Sequence, residues 1–188
     1  MSQSQLVIKL VSILESAGIE YMMTGSIVSS IQGEPRSTHD IDIVVALNRS
    51  HMETLISAFP SPDFYIDKQA VLTALEEKNA FNVIDVIGGG KIDFWILTDD
   101  DFDKTRFSRV FSFDFMGIPI RISTPEDTIL AKLRWAKLSG GSRKQFIDAL
   151  RVYEVQHEQL DLRYIEYWTD RLAIKELWRQ LLDEAITL

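Results

Sequence analysis

The segment 19–45 constrains the fold more than any other part of the chain. A run of apolar and aromatic residues leads to Gly25, which predicts a strand followed by a tight turn, and Ser26 begins a short predicted helix. Thirteen residues then separate Ser26 from Asp40, and Asp40 and Asp42 alternate with isoleucines. Side chains alternate between the two faces of a strand, so the carboxylates share one face and the isoleucines the other. The segment therefore predicts a strand, a turn, a short helix and a half-buried strand.

These residue types suit a phosphate and a divalent cation. The free backbone N–H groups at a helix N-terminus carry roughly +0.5 of effective charge, and Gly25 has no Cβ that would keep a phosphate away from the backbone near Ser26. Asp40 and Asp42 project from one face about 6.6 Å apart. Two carboxylates at that spacing can bracket a Mg²⁺ ion bound to a triphosphate. The alternative that the residues leave open is a glycine turn with two solvated aspartates.

The combination of features carries more information than any single one. With 28 acidic residues in 188, about four acid-x-acid triplets are expected by chance, so Asp40-x-Asp42 alone has little weight. A strand, a Gly-Ser pair, a short helix, a spacer and Asp-x-Asp between apolar neighbours together resemble the signature of the DNA polymerase beta-like nucleotidyltransferase superfamily. The resemblance implies that Gly25 and Ser26 hold the β and γ phosphates of a nucleoside triphosphate and that Asp40 and Asp42 bind Mg²⁺ or Mn²⁺.

Two hairpins are predicted, one over residues 81–97 with a turn at three consecutive glycines and one over residues 110–122 with a turn near Gly117. A third carboxylate is predicted in the first hairpin. Asp93 lies in an apolar strand, where a carboxylate is costly unless it is paired or holds a metal. Asp85 has the same local surroundings in the other strand of the hairpin. The family pattern favours Asp93 as the third metal ligand, and Asp85 remains the rival.

The resemblance continues through residues 123–135, 140–148 and 160–172, which are similar to small bacterial stand-alone nucleotidyltransferases related to the abortive-infection toxins of type IV toxin–antitoxin systems. In those relatives, the helix after a Pro-Glu-Asp sequence provides a lysine and the next helix an aspartate, both facing the nucleotide. The matching residues here are Lys132 and Asp148. A lysine so placed would neutralise charge that develops on the leaving pyrophosphate.

A basic segment stands out in an acidic protein. Residues 128–151 contain six basic residues and one acidic residue, whereas the whole chain has a net charge of −8. Because affinity for nucleic acid comes mostly from phosphate neutralisation, the overall charge argues against broad, nonspecific binding. The local segment favours a phosphate-bearing acceptor, such as the end of a tRNA or another RNA, over a neutral small molecule, with a protein hydroxyl as the second choice. The alternative is that these residues form the solvated faces of two helices.

Composition and periodicity predict the fold class and the compartment. The patterns predict an α+β protein. The resemblance implies that a mixed β-sheet flanked by helices, the nucleotidyltransferase fold, forms a catalytic core over residues 1–123. A C-terminal helical subdomain over 124–188 is expected to pack on it. The chain is 46% hydrophobic and contains no run of membrane-spanning length. It has no cysteines, which excludes disulfides and thiolate chemistry. A cytoplasmic protein without a membrane partner is predicted.

The predicted activity is Mg²⁺-dependent transfer of a nucleoside monophosphate from an NTP to a hydroxyl acceptor, with release of pyrophosphate. Asp40, Asp42 and Asp93 would bind the metal, and Asp93 would also help to deprotonate the acceptor. Lys132 would give electrostatic support, with Asp148 orienting Lys132 or the nucleotide. A toxin controlled by a cognate antitoxin is one version of this prediction. The alternative function is a non-catalytic module that retains the fold and binds a nucleotide or a protein.

Overall fold

The structure is a computed structural model and describes residues 1–186. In this part of the chain the strands are β1 Tyr21–Thr24, β2 Asp40–Val45, β3 Phe64–Ile66, β4 Ala80–Asp85, β5 Lys91–Ile96, β6 Phe111–Phe115 and β7 Ile118–Ile122. The α-helices are α1 Gln3–Ser16, α2 Gly25–Gln32, α3 Met52–Ser57, α4 Lys68–Glu77, α5 Asp101–Ser108, α6 Pro125–Leu138, α7 Arg143–Gln156, α8 Leu162–Arg171 and α9 Lys175–Glu184. The mixture of helices with one mixed sheet confirms the predicted α+β class.

The seven strands form a single sheet in the order β3-β4-β5-β2-β1-β7-β6. β2 is antiparallel to β1 and parallel to β5, while β4–β5 and β6–β7 are antiparallel hairpins. Both hairpins were predicted, because each consists of two alternating apolar runs around a glycine-containing turn. The central position of β2, between β1 and β5, brings three strands with polar residues on one face side by side.

The chain divides into two compact units by contact density. Unit 1 comprises residues 1–24 and 38–122, and unit 2 comprises residues 25–37 and 123–188. The sequence placed residues 25–37 with the segment 1–123, whereas the structure groups them with the C-terminal helices. The reason lies in packing within unit 2, where α2 contacts α6 and α7.

Unit 1 contains the whole sheet together with α1, α3, α4 and α5. One face of α1 is fully buried, through Leu6, Val7, Leu10, Val11 and Leu14. Ile41 and Ile43 of β2 are also fully buried, on the face of the strand opposite its carboxylates. The alternation of aspartates and isoleucines in the sequence of β2 therefore matches the alternation of exposed and buried side chains in the structure. This match determines which face of β2 carries the acids.

Unit 2 is helical and is held together by α2 as well as by α6–α9. A Cβ atom at Gly33, the residue after α2, would lie only 2.8 Å from the backbone nitrogen of Val152, so α2 ends directly against α7. The amide of Gln32 donates to the carbonyl of Ser123 at 2.6 Å, and the amide of Gln156 donates to the carbonyl of Gln32 at 2.8 Å. These contacts explain why a short segment between two strands belongs with the C-terminal helices.

Within residues 1–186, no helix has the length and apolar character needed to cross a membrane.

Candidate functional site

In unit 1, the polar face of the sheet places two predicted carboxylates side by side. Asp42 of β2 is in register with Thr24 of β1 and with Asp93 of β5. Neighbouring strands lie about 4.8 Å apart, so the side chains of Asp42 and Asp93 leave the sheet close together on one face. Asp40 precedes Asp42 by two residues and projects from the same face. The structure therefore brings the three predicted metal ligands together on two adjacent parallel strands.

A lysine lies among these acids. Lys91 of β5 is in register with Asp40, and its Nζ lies 2.8 Å from a carboxylate oxygen of Asp93 and 3.7 Å from one of Asp40. The hydrogen bond with Asp93 raises the pKa of Lys91 above its usual range, and the charges of Asp93, Asp40 and Asp42 add to this effect. The face thus already binds one cation, supplied by the chain itself.

The rival acid, Asp85, lies elsewhere in unit 1. It ends β4, in register with Phe64 of β3, and is buried. Its carboxylate accepts a hydrogen bond from the backbone N–H of Gly88 at 2.8 Å and lies 3.3 Å from the amine of Met1. The Gly88 N–H is the main reason that the pKa of Asp85 is lowered. Asp85 has the contacts of a residue that closes the glycine turn, and the register places Asp93 beside Asp42.

The donor chemistry of the acidic face suits a divalent metal, but the side chains as placed do not enclose one. Three carboxylates provide the hard oxygen ligands that Mg²⁺ and Mn²⁺ prefer. In the part of the chain that the structure describes, however, no three His, Cys, Asp or Glu side chains are grouped so that they could hold a metal ion. The Lys91 ammonium lies instead between Asp93 and Asp40.

At the junction between β1 and α2 the backbone needs a glycine. Gly25 has φ of 71°, in the left-handed region that residues with a Cβ rarely adopt. α2 begins at Gly25, one residue earlier than the sequence prediction at Ser26. Thr24, the preceding residue, ends β1. The turn therefore passes from strand to helix without an intervening loop, which leaves the first N–H groups of α2 without partners inside the helix.

In unit 2, Lys132 and Asp148, the predicted pair, form a hydrogen-bonded network with a third residue, Arg36. Lys132 Nζ donates to Asp148 Oδ2 at 2.7 Å, and Arg36 donates to both carboxylate oxygens of Asp148, from Nε at 2.8 Å and from Nη2 at 2.8 Å. Arg36 Nη2 also donates to the hydroxyl of Ser26 at 2.6 Å. Two cations thus share one carboxylate near the first turn of α2.

Burial distinguishes the members of this network. The side chains of Lys132 and Asp148 are 6% and 5% exposed, whereas that of Arg36 is 29% exposed. Burial acts to raise the pKa of Asp148, but the hydrogen bonds from Arg36 and Lys132 outweigh it and hold the pKa below the usual range. Asp148 is therefore ionised at neutral pH and acts as a fixed anchor, with Arg36 as the cation nearest to solvent.

Two residues of these clusters were missed by the sequence prediction, Arg36 and Lys91. Arg36 lies in the spacer between the Gly-Ser pair and the aspartates, and its partner Asp148 is 112 positions away. Lys91 follows the glycine turn, where a charged residue usually faces solvent. A signal existed for Lys91, since it stands two residues before Asp93 and therefore shares its face of the strand.

The basic segment 128–151 is largely neutralised within unit 2. Arg143 forms a two-pronged ion pair with Glu184, at 3.2 and 2.7 Å, and Arg151 pairs with Glu154 at 2.6 Å. Lys132 is buried against Asp148. Much of the local charge on which the RNA prediction depended is therefore satisfied by acids of the same unit.

No family model matches the chain, and none of the curated proteins does. Solved structures with the same fold do exist. ANT(2″)-Ia in complex with adenylyl-2″-tobramycin is 12% identical, with a TM-score of 0.59, and the match covers 94% of this chain and 99% of that one. An antigenic nucleotidyltransferase-like protein from Paracoccidioides brasiliensis is 12% identical, with a TM-score of 0.52 and coverage of 98% and 94%. The lincosamide antibiotic adenylyltransferase LnuA, lincomycin-bound, is 11% identical, with a TM-score of 0.51 and coverage of 82% and 98%.

These similarities define the fold. The chain has the nucleotidyltransferase fold, and the similarity extends over nearly the whole length of the solved proteins. The predicted fold class is thereby confirmed. At identities of 11–12%, the structural match leaves activity and substrate to be argued from the residues of this chain.

Proposed function

We propose that this protein is an enzyme that transfers a nucleoside monophosphate from an NTP to a hydroxyl acceptor and releases pyrophosphate. The observation that carries the proposal is the register of the sheet in unit 1, which sets Asp42 beside Asp93 on the same face, with Asp40 two residues away. Paired carboxylates next to each other repel unless a cation is bound between them. The placement of these carboxylates therefore favours cation binding on this face.

The acids have distinct roles in the proposal. Asp40, Asp42 and Asp93 would hold Mg²⁺ or Mn²⁺, which would neutralise the phosphates and align the α-phosphorus with the attacking hydroxyl. Asp93, 21% exposed, would also accept the proton of the acceptor hydroxyl. Asp42, the central member of the row formed with Thr24 and Asp93, is the residue whose loss should affect the site most.

The sequence resemblance assigns the phosphate contacts to Gly25, Ser26 and Lys132. Gly25 permits the tight start of α2, and its N–H and that of Ser26 would bind the β and γ phosphates. The guanidinium of Arg36 has the planar, forked geometry that suits a phosphate, and it is the most exposed cation of its network. Lys132 would support the departing pyrophosphate, and Asp148 would hold both cations in place.

The acceptor is proposed to be an RNA end such as that of a tRNA, with a protein hydroxyl second. Exposed Lys144 would be a phosphate contact. The ion pairs of Arg143 and Arg151 weaken this part of the proposal. The similarity in fold to ANT(2″)-Ia, solved with adenylyl-2″-tobramycin, supports a small hydroxyl compound, which the basic segment disfavoured, as a third acceptor class. Toxicity, and control by an antitoxin, rest on the sequence resemblance alone.

Nucleotide binding tests the site without knowledge of the acceptor. ATP or another NTP should raise the melting temperature of the protein only when Mg²⁺ or Mn²⁺ is present, because the metal would bridge the triphosphate and the acids. At a hundredfold excess over Kd the rise should be about 5–10 °C. Asp42→Asn should abolish the ligand-induced rise, as measured by differential scanning fluorimetry.

The matched control is Asp183→Asn, which removes the same charge from an exposed position of α9. This variant should keep the full metal-dependent rise. Equal rises in the wild type and Asp42→Asn, or a rise that is unchanged in EDTA, would reject the proposed metal–nucleotide site.

A further inference from the structure

Lys91 lies on the acidic face of unit 1, which is formed by Asp40, Asp42 and Asp93. Its Nζ lies 2.8 Å from Asp93 and 3.7 Å from Asp40. Asp42 lies on the same face, in register with Asp93, and its charge also acts on Lys91. The ammonium therefore contacts the carboxylates that the proposed function assigns to the metal.

The position of Lys91 follows from the strand itself. Lys91 and Asp93 are two residues apart on β5, so they share a face, and the register pairs them with Asp40 and Asp42 of β2. The four side chains form two rows, one with a lysine opposite an aspartate and one with two aspartates opposite each other. Without the lysine, Asp40 and Asp93 would lose the ammonium that lies between them, and the adjacent carboxylates would repel each other more strongly.

We propose that the Lys91 ammonium is the resident cation of this face, and that a divalent ion must displace it to bind Asp93 and Asp40. The inference rests on the metal site of the proposed function and adds how its affinity is set. With Lys91 in place, Asp93 and Asp40 have a cationic partner in the absence of metal. The free energy of metal binding is then only the difference between the attraction of the metal ion and that of the lysine for these carboxylates. Lys91 thus lowers metal affinity and keeps the empty face stable.

Replacing the lysine tests this exchange directly. Lys91→Met should bind Mn²⁺ roughly tenfold more tightly than the wild type, because the ammonium that contacts Asp93 and Asp40 no longer competes for these two carboxylates. In EDTA the same variant should melt at a lower temperature than the wild type, since the repulsion among the acids is no longer relieved. Binding of Mn²⁺ alone is measured by electron paramagnetic resonance of the free ion, so no nucleotide or acceptor is needed.

Two further variants make the test decisive. Lys104 pairs with Asp99 at 3.0 Å in the same unit, so Lys104→Met removes the same charge from another lysine–aspartate pair and should leave Mn²⁺ affinity unchanged. Lys91→Gln removes the charge but keeps a polar side chain, and should also bind Mn²⁺ more tightly; it serves if Lys91→Met does not fold.

The outcomes separate the inference from the proposed function. Wild-type Mn²⁺ affinity that is unchanged in both Lys91 variants would overturn the inference and leave the metal site standing. If neither the wild type nor the variants bind Mn²⁺, both the inference and the metal site of the proposed function are rejected. Equal tightening in Lys104→Met would also overturn the inference, because the effect would then come from net charge.

Discussion

At the scale of single residues, charged side chains in both clusters make short contacts with opposite charges of the same unit. Lys91 is balanced by Asp93 and Asp40, while Arg36 and Lys132 share Asp148. The second group is the more demanding, because Lys132 and Asp148 are almost fully buried and a buried ion left without its partner is strongly destabilising. A buried ion pair is tolerated when each charge has its partner. In unit 2 the residues that stabilise the fold in this way are also the ones proposed to act on the nucleotide.

The choice between Asp93 and Asp85 is a prediction at this scale. Asp93→Asn should lower NMP transfer at least about a hundredfold while NTP still raises the melting temperature, because Asp93 acts mainly on the attacking hydroxyl. Asp85→Asn should lower the free energy of unfolding by about 1–2 kcal/mol and leave transfer intact, because Asp85 closes the glycine turn. Transfer assays and urea denaturation measure the two effects. Loss of transfer in Asp85→Asn alone would reassign the third carboxylate.

At the scale of elements, local sequence patterns predicted the features that depend on neighbouring residues, such as strand faces and hairpins. The alternation of acids and isoleucines predicted the faces of β2, and glycine-centred apolar runs predicted both hairpins. The proximity of Lys132 and Asp148 came from the family resemblance. The partnership of Arg36 with Asp148 was not predictable, because it joins a spacer to α7 across 112 positions and leaves no local periodicity. The register of β5 on β2 was not predictable either, because it depends on two strands that are far apart in the chain.

The junction between β1 and α2 yields a prediction for a whole element. Gly25→Ala forces a Cβ into a backbone with φ of 71°, which should cost about 1–2 kcal/mol of stability and weaken NTP binding, because the first turn of α2 shifts. Gly18 has φ of 66° with open space around it and follows α1. Gly18→Ala is the control, with a similar loss of stability in urea denaturation and unchanged NTP affinity in calorimetry. Equal NTP affinity in the two variants would remove the junction from the phosphate site.

At the scale of the whole molecule, the chain passes between its two units at three points, after residues 24, 37 and 122. Neither unit is a continuous segment. The sequence predicted a boundary at 123/124 from the change from strands to helices, which is close to the third crossing. It did not predict that residues 25–37 group with the C-terminal helices, because burial of α2 against α6 and α7 is a tertiary event. Whether 1–123 and 124–188 act as separate functional parts stays a prediction.

The most direct test of the central claim follows the α-phosphate of the substrate. The protein would be incubated with Mg²⁺ and each NTP labelled at the α or the γ position, together with RNA, protein and small-molecule fractions of a cell extract. We predict that label from one α-labelled NTP, and never from its γ-labelled form, becomes attached to an acceptor, that EDTA or Asp42→Asn abolishes this transfer, and that Asp183→Asn retains it. Metal-dependent NTP binding without transfer to any fraction, or transfer of the γ label, would contradict the account, and the first result would identify a non-catalytic nucleotide-binding module.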